Sequence, residues 1–286
     1  MDPLESFGEL KKICQTTAHK DVTNVYMRFV SRNISIFITR FLIPTPVTAD
    51  QVSFAMIVMG ILASLFFLSS SQAMFVLGAL GLQLWYLLDC VDGEIARYRL
   101  YQKTGKLVEE KVELPMTGAY WDYLNHYIVH GLAPLTAGFG LFLAYENLAW
   151  FLLGFLASIS QVMLLAVHDT KSRAFIAKVK KAGQSHWVGL NPKPNKGETQ
   201  KKKWGLAKWI FVALHYSTTY PTVMNAALLA GIFDLRGFFL VYYALVSPIV
   251  FIGLAAKNLR NQGLDREFES EFFLVKRHSK EFVETF

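Results

Sequence analysis

Long apolar runs separated by polar segments dominate the pattern of this chain. Six runs of spanning length carry little or no formal charge, and about 20 apolar residues are enough to cross the hydrocarbon core of a membrane. The six runs cover residues 52–69, 73–88, 120–144, 148–167, 209–233 and 238–256. The pattern therefore predicts an all-α integral membrane protein with six transmembrane helices.

The residues before the first run form a separate N-terminal segment, 1–47. Apolar positions at helical spacing predict a short soluble helix within residues 1–20. Between 21 and 41, one side of a helix would be apolar and the opposite side polar, which is typical of a helix lying on the membrane surface. The apolar side would carry Tyr26, Phe29, Val30, Ile34, Phe37, Ile38 and Phe41, and the polar side Arg28, Ser31, Arg32, Ser35 and Thr39.

The remaining chain divides into a membrane domain, residues 48–257, and a C-terminal tail, 258–286. Thr48 and Asp50 offer side chains that can cap the first membrane helix. Two long polar segments interrupt the domain: a spacer, 98–117, and a basic loop, 168–208. The tail alternates charged and aromatic residues, so we expect a surface helix there.

Basic residues fall almost entirely on one side of the predicted membrane. Of the 29 Lys and Arg residues, 28 lie in residues 1–47, 97–117, 168–208 and 257–286, which are the N-terminal segment, the two long polar segments and the tail with one flanking residue added to the spacer and the tail. By the positive-inside rule, both termini and both segments are expected to be cytoplasmic. A basic nucleic-acid surface is the alternative explanation of the net charge of +7. We do not expect a nucleic-acid partner, because the basic residues are distributed over the loops of a bundle.

An acidic sequence, LDCVDGEIAR, follows the second apolar run. If the helix continues through it, Asp89, Asp92 and Ala96 share one face, with Gly93 beside them. A similar arrangement stands at the start of the third run, where Gly118, Asp122 and His126 lie four residues apart and also share a face. The sequence therefore predicts that three carboxylates meet at the cytoplasmic ends of two helices.

Carboxylates at membrane depth need a partner, because each charge costs roughly 2.5 to 3.5 kcal/mol on insertion scales. A divalent cation held by Asp89, Asp92 and Asp122 would supply one. Carboxylate oxygens are hard ligands, which favours Mg²⁺ or Mn²⁺. In the alternative interpretation the acids are solvated helix-end charges paired with Arg97 and Arg99. Neither Cys14 nor Cys90 needs a disulfide on the cytoplasmic side, and Cys90 is interpreted as a packing residue, with a metal thiolate as the alternative.

These residues resemble a known signature. The pattern Asp89-x2-Asp92-Gly93-x2-Ala96-Arg97, followed by Gly118-x3-Asp122-x3-His126, is similar to that of the CDP-alcohol phosphotransferases, D-x2-D-G-x2-A-R, a spacer, then G-x3-D-x3-D. The segment Thr48-Ala-Asp-Gln-Val-Ser53 resembles the family's T-P-N-x-V-T, and Ser172-Arg173-Ala174 weakly resembles its R-A-R-A region. The resemblance covers about residues 21–257.

The resemblance implies an enzyme of phospholipid or phospho-alcohol biosynthesis with a cytoplasmic active site. It would transfer a phosphatidyl or substituted phosphoryl group from a CDP-linked donor to an alcohol acceptor and release CMP, with membrane lipid around it. Family members commonly form homodimers. By similarity, Asp89, Asp92 and Asp122 would hold Mg²⁺ or Mn²⁺. The nucleotide would lie against Gly93, Ala96, Arg97 and Gly118.

Two departures from the signature raise questions. His126 replaces the last acid, which in the family is a metal ligand and the base that deprotonates the acceptor. An imidazole can still take a proton near neutral pH, so Asp122 and His126 are the expected catalytic residues, while a structural role for His126 remains the alternative. The spacer of 20 residues exceeds the family's eight or so, and its 106–114 segment is interpreted as a hairpin over the active site.

The substrates are less constrained by the sequence. Arg32, Lys171 and Arg173 are candidates for binding an acceptor phosphate or a headgroup, with membrane anchoring as the alternative. CDP-diacylglycerol with a small polar acceptor is the favoured pairing, and a small CDP-alcohol with a lipid acceptor is the alternative. A non-catalytic relative that binds nucleotide or lipid, and a metal-dependent transporter, are the rivals from other functional classes.

Overall fold

The computed structural model of the chain describes residues 5–15, 26–107, 116–183, 186–190 and 205–276. The first helix, α1, spans Phe7–Cys14 and confirms the short N-terminal helix. Ser6 caps it by accepting from the Glu9 amide, while the Glu9 carboxylate accepts from the Ser6 amide. This reciprocal capping satisfies donors that a helix N-terminus otherwise leaves unpaired.

The described part of the amphipathic segment, from residue 26 onward, is helical and lies with its polar side inward. A π-helical turn, Met27–Ser31, continues into α2, Arg32–Leu42. Ser31, Ser35 and Thr39 are buried, whereas the apolar side chains of Phe29, Ile34, Phe37 and Phe41 are exposed. An exposed apolar face is what a helix at a lipid surface requires, so the burial pattern agrees with the predicted interfacial position.

Five helices in the described part of the chain are long and apolar enough to cross a membrane, which supports a multi-pass membrane protein. Thr48 caps the first of them through the Gln51 amide, as its position predicted. The five are α3 Ala49–Phe66, α4 Gln72–Thr104, α5 Met116–Tyr145, α6 Leu148–Ala182 and α9 Arg236–Leu259.

The run from 209 to 233 is divided between two shorter helices. These are α7, Leu206–Ser217, and α8, Tyr220–Ile232. Pro221 stands in the first turn of α8, where its missing N–H costs nothing, but it could not occupy the middle of one continuous helix without losing a hydrogen bond. The position of Pro221 fits an interruption at residues 218–219, although α5 and α9 continue through Pro134 and Pro248.

The predicted polar segments contain more regular structure than expected. Helix α4 continues to Thr104 and ends where Gly105 adopts a left-handed φ of 66°, so the spacer 98–117 begins inside a helix. The predicted hairpin at 106–114 lies almost wholly outside the described residues. Helix α6 continues to Ala182, well beyond the expected end at 167, so the first part of the basic loop 168–208 is helical.

Contacts with the tail explain the longer α6. Phe175 of α6 is buried and packs edge-on at 5.5 Å against Phe268 of α10, Gly263–Glu271, which is the predicted tail helix. Strand β1, His186–Leu190, then pairs antiparallel with β2, Phe272–Lys276. The fold is therefore not purely α-helical: a two-stranded sheet adjoins the bundle, formed by non-local pairing that the local sequence pattern did not reveal.

Small residues let the membrane helices approach closely. An added Cβ on Gly60 of α3 would lie 2.4 Å from Val129 of α5 and 2.7 Å from Trp85 of α4. Close packing through small residues is a principal source of helix association where lipid supplies no hydrophobic driving force. The contact fixes α3, α4 and α5 relative to one another beneath the acidic turns of α4.

Candidate metal centre and its cavity

Three potential metal ligands from two helices converge at the end of the bundle. Asp89 lies on α4, and Asp122 and His126 lie one turn apart on α5. One ligand atom from each side chain lies within 4.8 Å of the corresponding atoms of the other two. His126 Nε2 is 3.1 Å from Asp122 Oδ1 and 3.7 Å from Asp89 Oδ1. The tertiary structure thus joins the two halves of the sequence motif.

Asp92 lies beside this cluster and makes a different contact. Its Oδ2 accepts a 2.6 Å hydrogen bond from the Ser53 hydroxyl of α3. A hydrogen bond to an ionised carboxylate fixes its orientation, and its other oxygen stays available to a ligand. Asp92 lines the same cavity as Asp89 and Asp122, so the three predicted carboxylates do share one site.

The residues fit a divalent metal. Bonds of 2.0 to 2.2 Å to nitrogen and oxygen place neighbouring ligand atoms about 3 to 3.5 Å apart. The separations around His126 Nε2 are close to that range. Both separations are also within ion-pair distance, so a protonated His126 could pair with the two carboxylates when no metal is bound. Asp89, Asp122 and His126 are accordingly the residues that we assign to a metal.

The cluster opens into a cavity of about 970 Å³ that is lined by both acidic and basic side chains. Such a mixture suits a ligand whose phosphates face both a metal and guanidinium groups. The acidic lining residues are Asp50, Asp89, Asp92, Glu94 and Asp122, and the basic ones are Arg32, Arg97, Arg99 and Lys103.

The guanidinium groups of Arg97, in the motif, and of Arg99, two residues after it, do not pair with the acids of the cluster. Arg97 donates from Nε to the backbone carbonyl of Cys14, and Arg99 donates from Nη2 to the carbonyl of Thr45 at 2.5 Å. The interpretation of the acids as helix-end charges neutralised by Arg97 and Arg99 is therefore disfavoured. Gly93 leaves room for Arg97, since an added Cβ there would lie 3.1 Å from its Nη1.

Glu94 lies within the first motif, directly after Gly93, and anchors the N-terminal segment. It is 1% exposed and accepts from Ser35 and Thr39 of α2, each at 2.6 Å, and from Gln15 at 2.7 Å. The contacts explain why the polar side of α2 faces inward. The positions of Ser35 and Thr39 indicated a polar face on this helix, but only the fold identified Glu94 as the acceptor of their hydrogen bonds.

Aromatic residues pack around the imidazole of His126. The Trp85 ring packs edge-on at 5.1 Å against His126 and donates its indole N–H to Asn125 Oδ1 at 2.8 Å. His130 stacks on Tyr220 at 3.9 Å. Both ring nitrogens of His130 and the Tyr220 hydroxyl are buried without a hydrogen-bond partner among the described residues. Nothing in the sequence indicated this support, because Trp85 and Asn125 belong to no motif.

The other predicted site residues divide into two groups. Ala96 and Gly118 line the cavity, as does Arg32, whose buried Nε has no hydrogen-bond partner among the described residues. Lys171 and Arg173 belong elsewhere: Lys171 pairs with Glu267 of α10 at 2.5 Å, and Arg173 is exposed on α6 outside the cavity lining. The structure thus brings Arg32, but neither residue of α6, to the acidic cluster.

Both cysteines are buried and free. Burial raises the pKa of the Cys14 thiol to about 12, so it stays protonated at neutral pH. Cys90 lies outside the group of potential metal ligands found in the described part of the chain. Packing roles for both agree with these positions.

No protein-family model matches the chain, and no curated protein matches it.

Proposed function

We propose that this chain is a metal-dependent phosphotransferase that uses a CDP-linked donor and an alcohol acceptor and releases CMP. CDP-diacylglycerol is the donor that we favour. One observation carries the proposal. The two halves of the signature are separated in sequence, yet Asp89 from the first half lies beside Asp122 and His126 from the second, in a cavity that Arg97 also lines. Phospholipid or phospho-alcohol biosynthesis would be the setting.

The cavity residues suit the binding of a diphosphate. Arg97 and Arg99 present guanidinium groups, which bind phosphate oxygens in a planar fork. Gly93, Ala96 and Gly118 add little bulk at the cavity wall, so a nucleotide can approach the helix backbones. Asp89, Asp92, Asp122 and His126 are the residues that would hold Mg²⁺ or Mn²⁺, which neutralises diphosphate charge when bound.

The proposed reaction is a substitution at phosphorus. The acceptor oxygen forms a new bond to the donor's β-phosphorus while the bond from that phosphorus to the CMP oxygen breaks. CMP leaves with the electron pair, and the hydroxyl proton passes to a base in the cavity. Asp122 and His126 are the two candidates for this base, because both line the cavity next to the carboxylate of Asp89.

The proposed membrane arrangement has six spans. Helices α7 and α8 would cross together as one interrupted span, which is tolerated where neighbouring helices satisfy the freed backbone groups. Tyr243 does so, since its hydroxyl donates to the carbonyl of Ser217 at 3.0 Å. Both termini, the cavity, the 98–117 spacer and the 168–208 segment would be cytoplasmic, within a domain spanning 48–257, and the enzyme would form a homodimer.

Purified full-length protein should release CMP from CDP-diacylglycerol when Mg²⁺ or Mn²⁺ and a small polar alcohol are added. Asp89→Asn and Asp122→Asn should each lower the rate by about 10² or more, since each removes a charged ligand. Asp169→Asn is the matched control, because Asp169 accepts from Tyr127 at 2.8 Å and does not line the cavity.

The alternatives predict different results in the same assay. CMP release from a small CDP-alcohol with diacylglycerol, but not from CDP-diacylglycerol, would show that the donor is the small CDP-alcohol and the acceptor is the lipid. Saturable binding of CDP-diacylglycerol without CMP release under any metal would identify a non-catalytic binding protein. Metal-dependent transport into vesicles without nucleotide turnover would contradict the proposed enzyme.

A further inference from the structure

We infer that His126 is a metal ligand rather than the base, and that it shifts the preference of the site away from Mg²⁺ toward Mn²⁺ and later transition metals. The inference rests on the proposed function, because it concerns the metal of the same site. It departs from the expectation that three carboxylates alone provide a hard, all-oxygen set of protein ligands.

The first argument is the position of the nitrogen. His126 Nε2 faces two carboxylate oxygens at once, 3.1 Å from Asp122 and 3.7 Å from Asp89. A base for the acceptor should instead direct its free nitrogen toward the open cavity. A nitrogen this close to two carboxylates can be the third ligand of a shared cation, because one ligand atom from each of the three side chains lies within 4.8 Å of the other two.

The second argument is that the ring is held in place. Trp85 packs against it edge-on, and the Trp85 side chain is itself fully buried and tied to Asn125. A ligand whose rotamer is fixed by its surroundings loses little entropy when a metal binds. The support behind His126 is therefore what a preorganised ligand requires.

The third argument concerns the lone pair. Nε2 of a neutral imidazole has one lone pair, and a nitrogen bound to a metal cannot accept a proton at the same time. A carboxylate has two oxygens and can bind through one while the other accepts a proton. Asp122 has a side chain that is 45% exposed, compared with 23% for His126. We therefore assign the acceptor proton to Asp122.

The ligand set then determines metal preference. Imidazole nitrogen suits transition metals, whereas Mg²⁺ strongly prefers oxygen. Two carboxylates and one imidazole should bind Mn²⁺ more tightly than Mg²⁺, and Co²⁺ or Zn²⁺ more tightly than Mn²⁺, following the order of affinities for divalent first-row metals. Exchanging the nitrogen for oxygen should weaken this discrimination.

The test is spectroscopic and uses the full-length protein in detergent, loaded with Mn²⁺ alone. Electron spin-echo spectra should show modulation from a directly bound ¹⁴N nucleus. The modulation should vanish in His126→Asp, while Mn²⁺ still binds. Competition titrations should show the ratio of Mg²⁺ to Mn²⁺ dissociation constants falling by about tenfold or more in that variant. His168→Asn removes an imidazole from α6, outside the cavity, and should retain the nitrogen signal.

The outcomes separate the inference from the proposed function. A wild-type protein that releases CMP but binds Mn²⁺ without a nitrogen signal would overturn the assignment of His126 and leave the enzyme intact. A nitrogen signal without CMP release from any donor would support the metal site and contradict the phosphotransferase. Persistence of the nitrogen signal in His126→Asp would also overturn the inference, because the nitrogen would then come from another residue.

Discussion

Ser53 donates its hydroxyl hydrogen to Asp92 Oδ2 at 2.6 Å, joining the second turn of α3 to the acidic turn of α4. The contact engages one oxygen of Asp92, and both residues line the cavity. In this way the first membrane helix orients a carboxylate of the site. Ser53 is the last residue of the segment that resembles the family's T-P-N-x-V-T.

Removal of this hydroxyl should reduce activity without unfolding the protein. In Ser53→Ala we expect kcat/KM for CMP release to fall about tenfold or more, because hydrogen bonds to charged groups contribute about 1.5 to 3 kcal/mol. Ser53→Thr should preserve most of the activity. The control is Ser64→Ala on the same helix, where the lost hydroxyl donates only to the Gly60 carbonyl at 2.7 Å. Equal rates in Ser53→Ala and wild type would show that Asp92 needs no such support.

Two glycines in the cavity should respond differently to an added methyl group. Gly93→Ala places a Cβ 3.1 Å from the Arg97 guanidinium, which must then move, so the KM for the donor should rise. In Gly118→Ala the added Cβ meets no atom of the described residues within 4 Å outside its own helix, so the substitution should not lower the Tm. Any rise in donor KM in Gly118→Ala would therefore report contact with the ligand itself. An unchanged KM would remove Gly118 from the donor site.

The Glu94 anchor should contribute strongly to stability. Glu94→Ala leaves the hydroxyls of Ser35 and Thr39 and the amide of Gln15 without their acceptor, which should lower the free energy of unfolding by about 3 kcal/mol. Glu94→Gln keeps one acceptor oxygen and should cost less. Unfolding of detergent-solubilised protein measures both changes, and the exposed Glu146→Gln is the control. A Tm for Glu94→Ala equal to wild type would contradict the anchoring role.

The proposed orientation can be tested by thiol labelling in sealed vesicles or cells. Glu146→Cys lies between α5 and α6 and should react with an impermeant maleimide from the outside. Lys180→Cys lies near the end of α6 and should react only after permeabilisation. Both positions are exposed, whereas Cys14 and Cys90 are buried, and the raised pKa of Cys14, about 12, further suppresses its background reaction. The reverse labelling pattern would invert the topology.

The apolar runs were sufficient to identify the membrane helices but not to determine where they end. Helix α6 continues through charged residues because Lys178 pairs with Asp265 of α10 at 2.7 Å and Phe175 packs on Phe268. Neither partner is near α6 in sequence. The same reason applies to β1 and β2, whose pairing joins segments about 85 residues apart by their numbering in the chain.

Apolar runs, capping residues and helical spacing are local properties, so they were enough to predict a membrane protein, the capped start of α3 and the two motif faces. They could not predict that His126 lies beside Asp89 and Asp122, that Asp92 accepts from Ser53 or that Glu94 holds α2. Those contacts depend on the distance and angle between helices. Packing at Gly60 against Trp85 and Val129 sets that geometry, and no single helix encodes it.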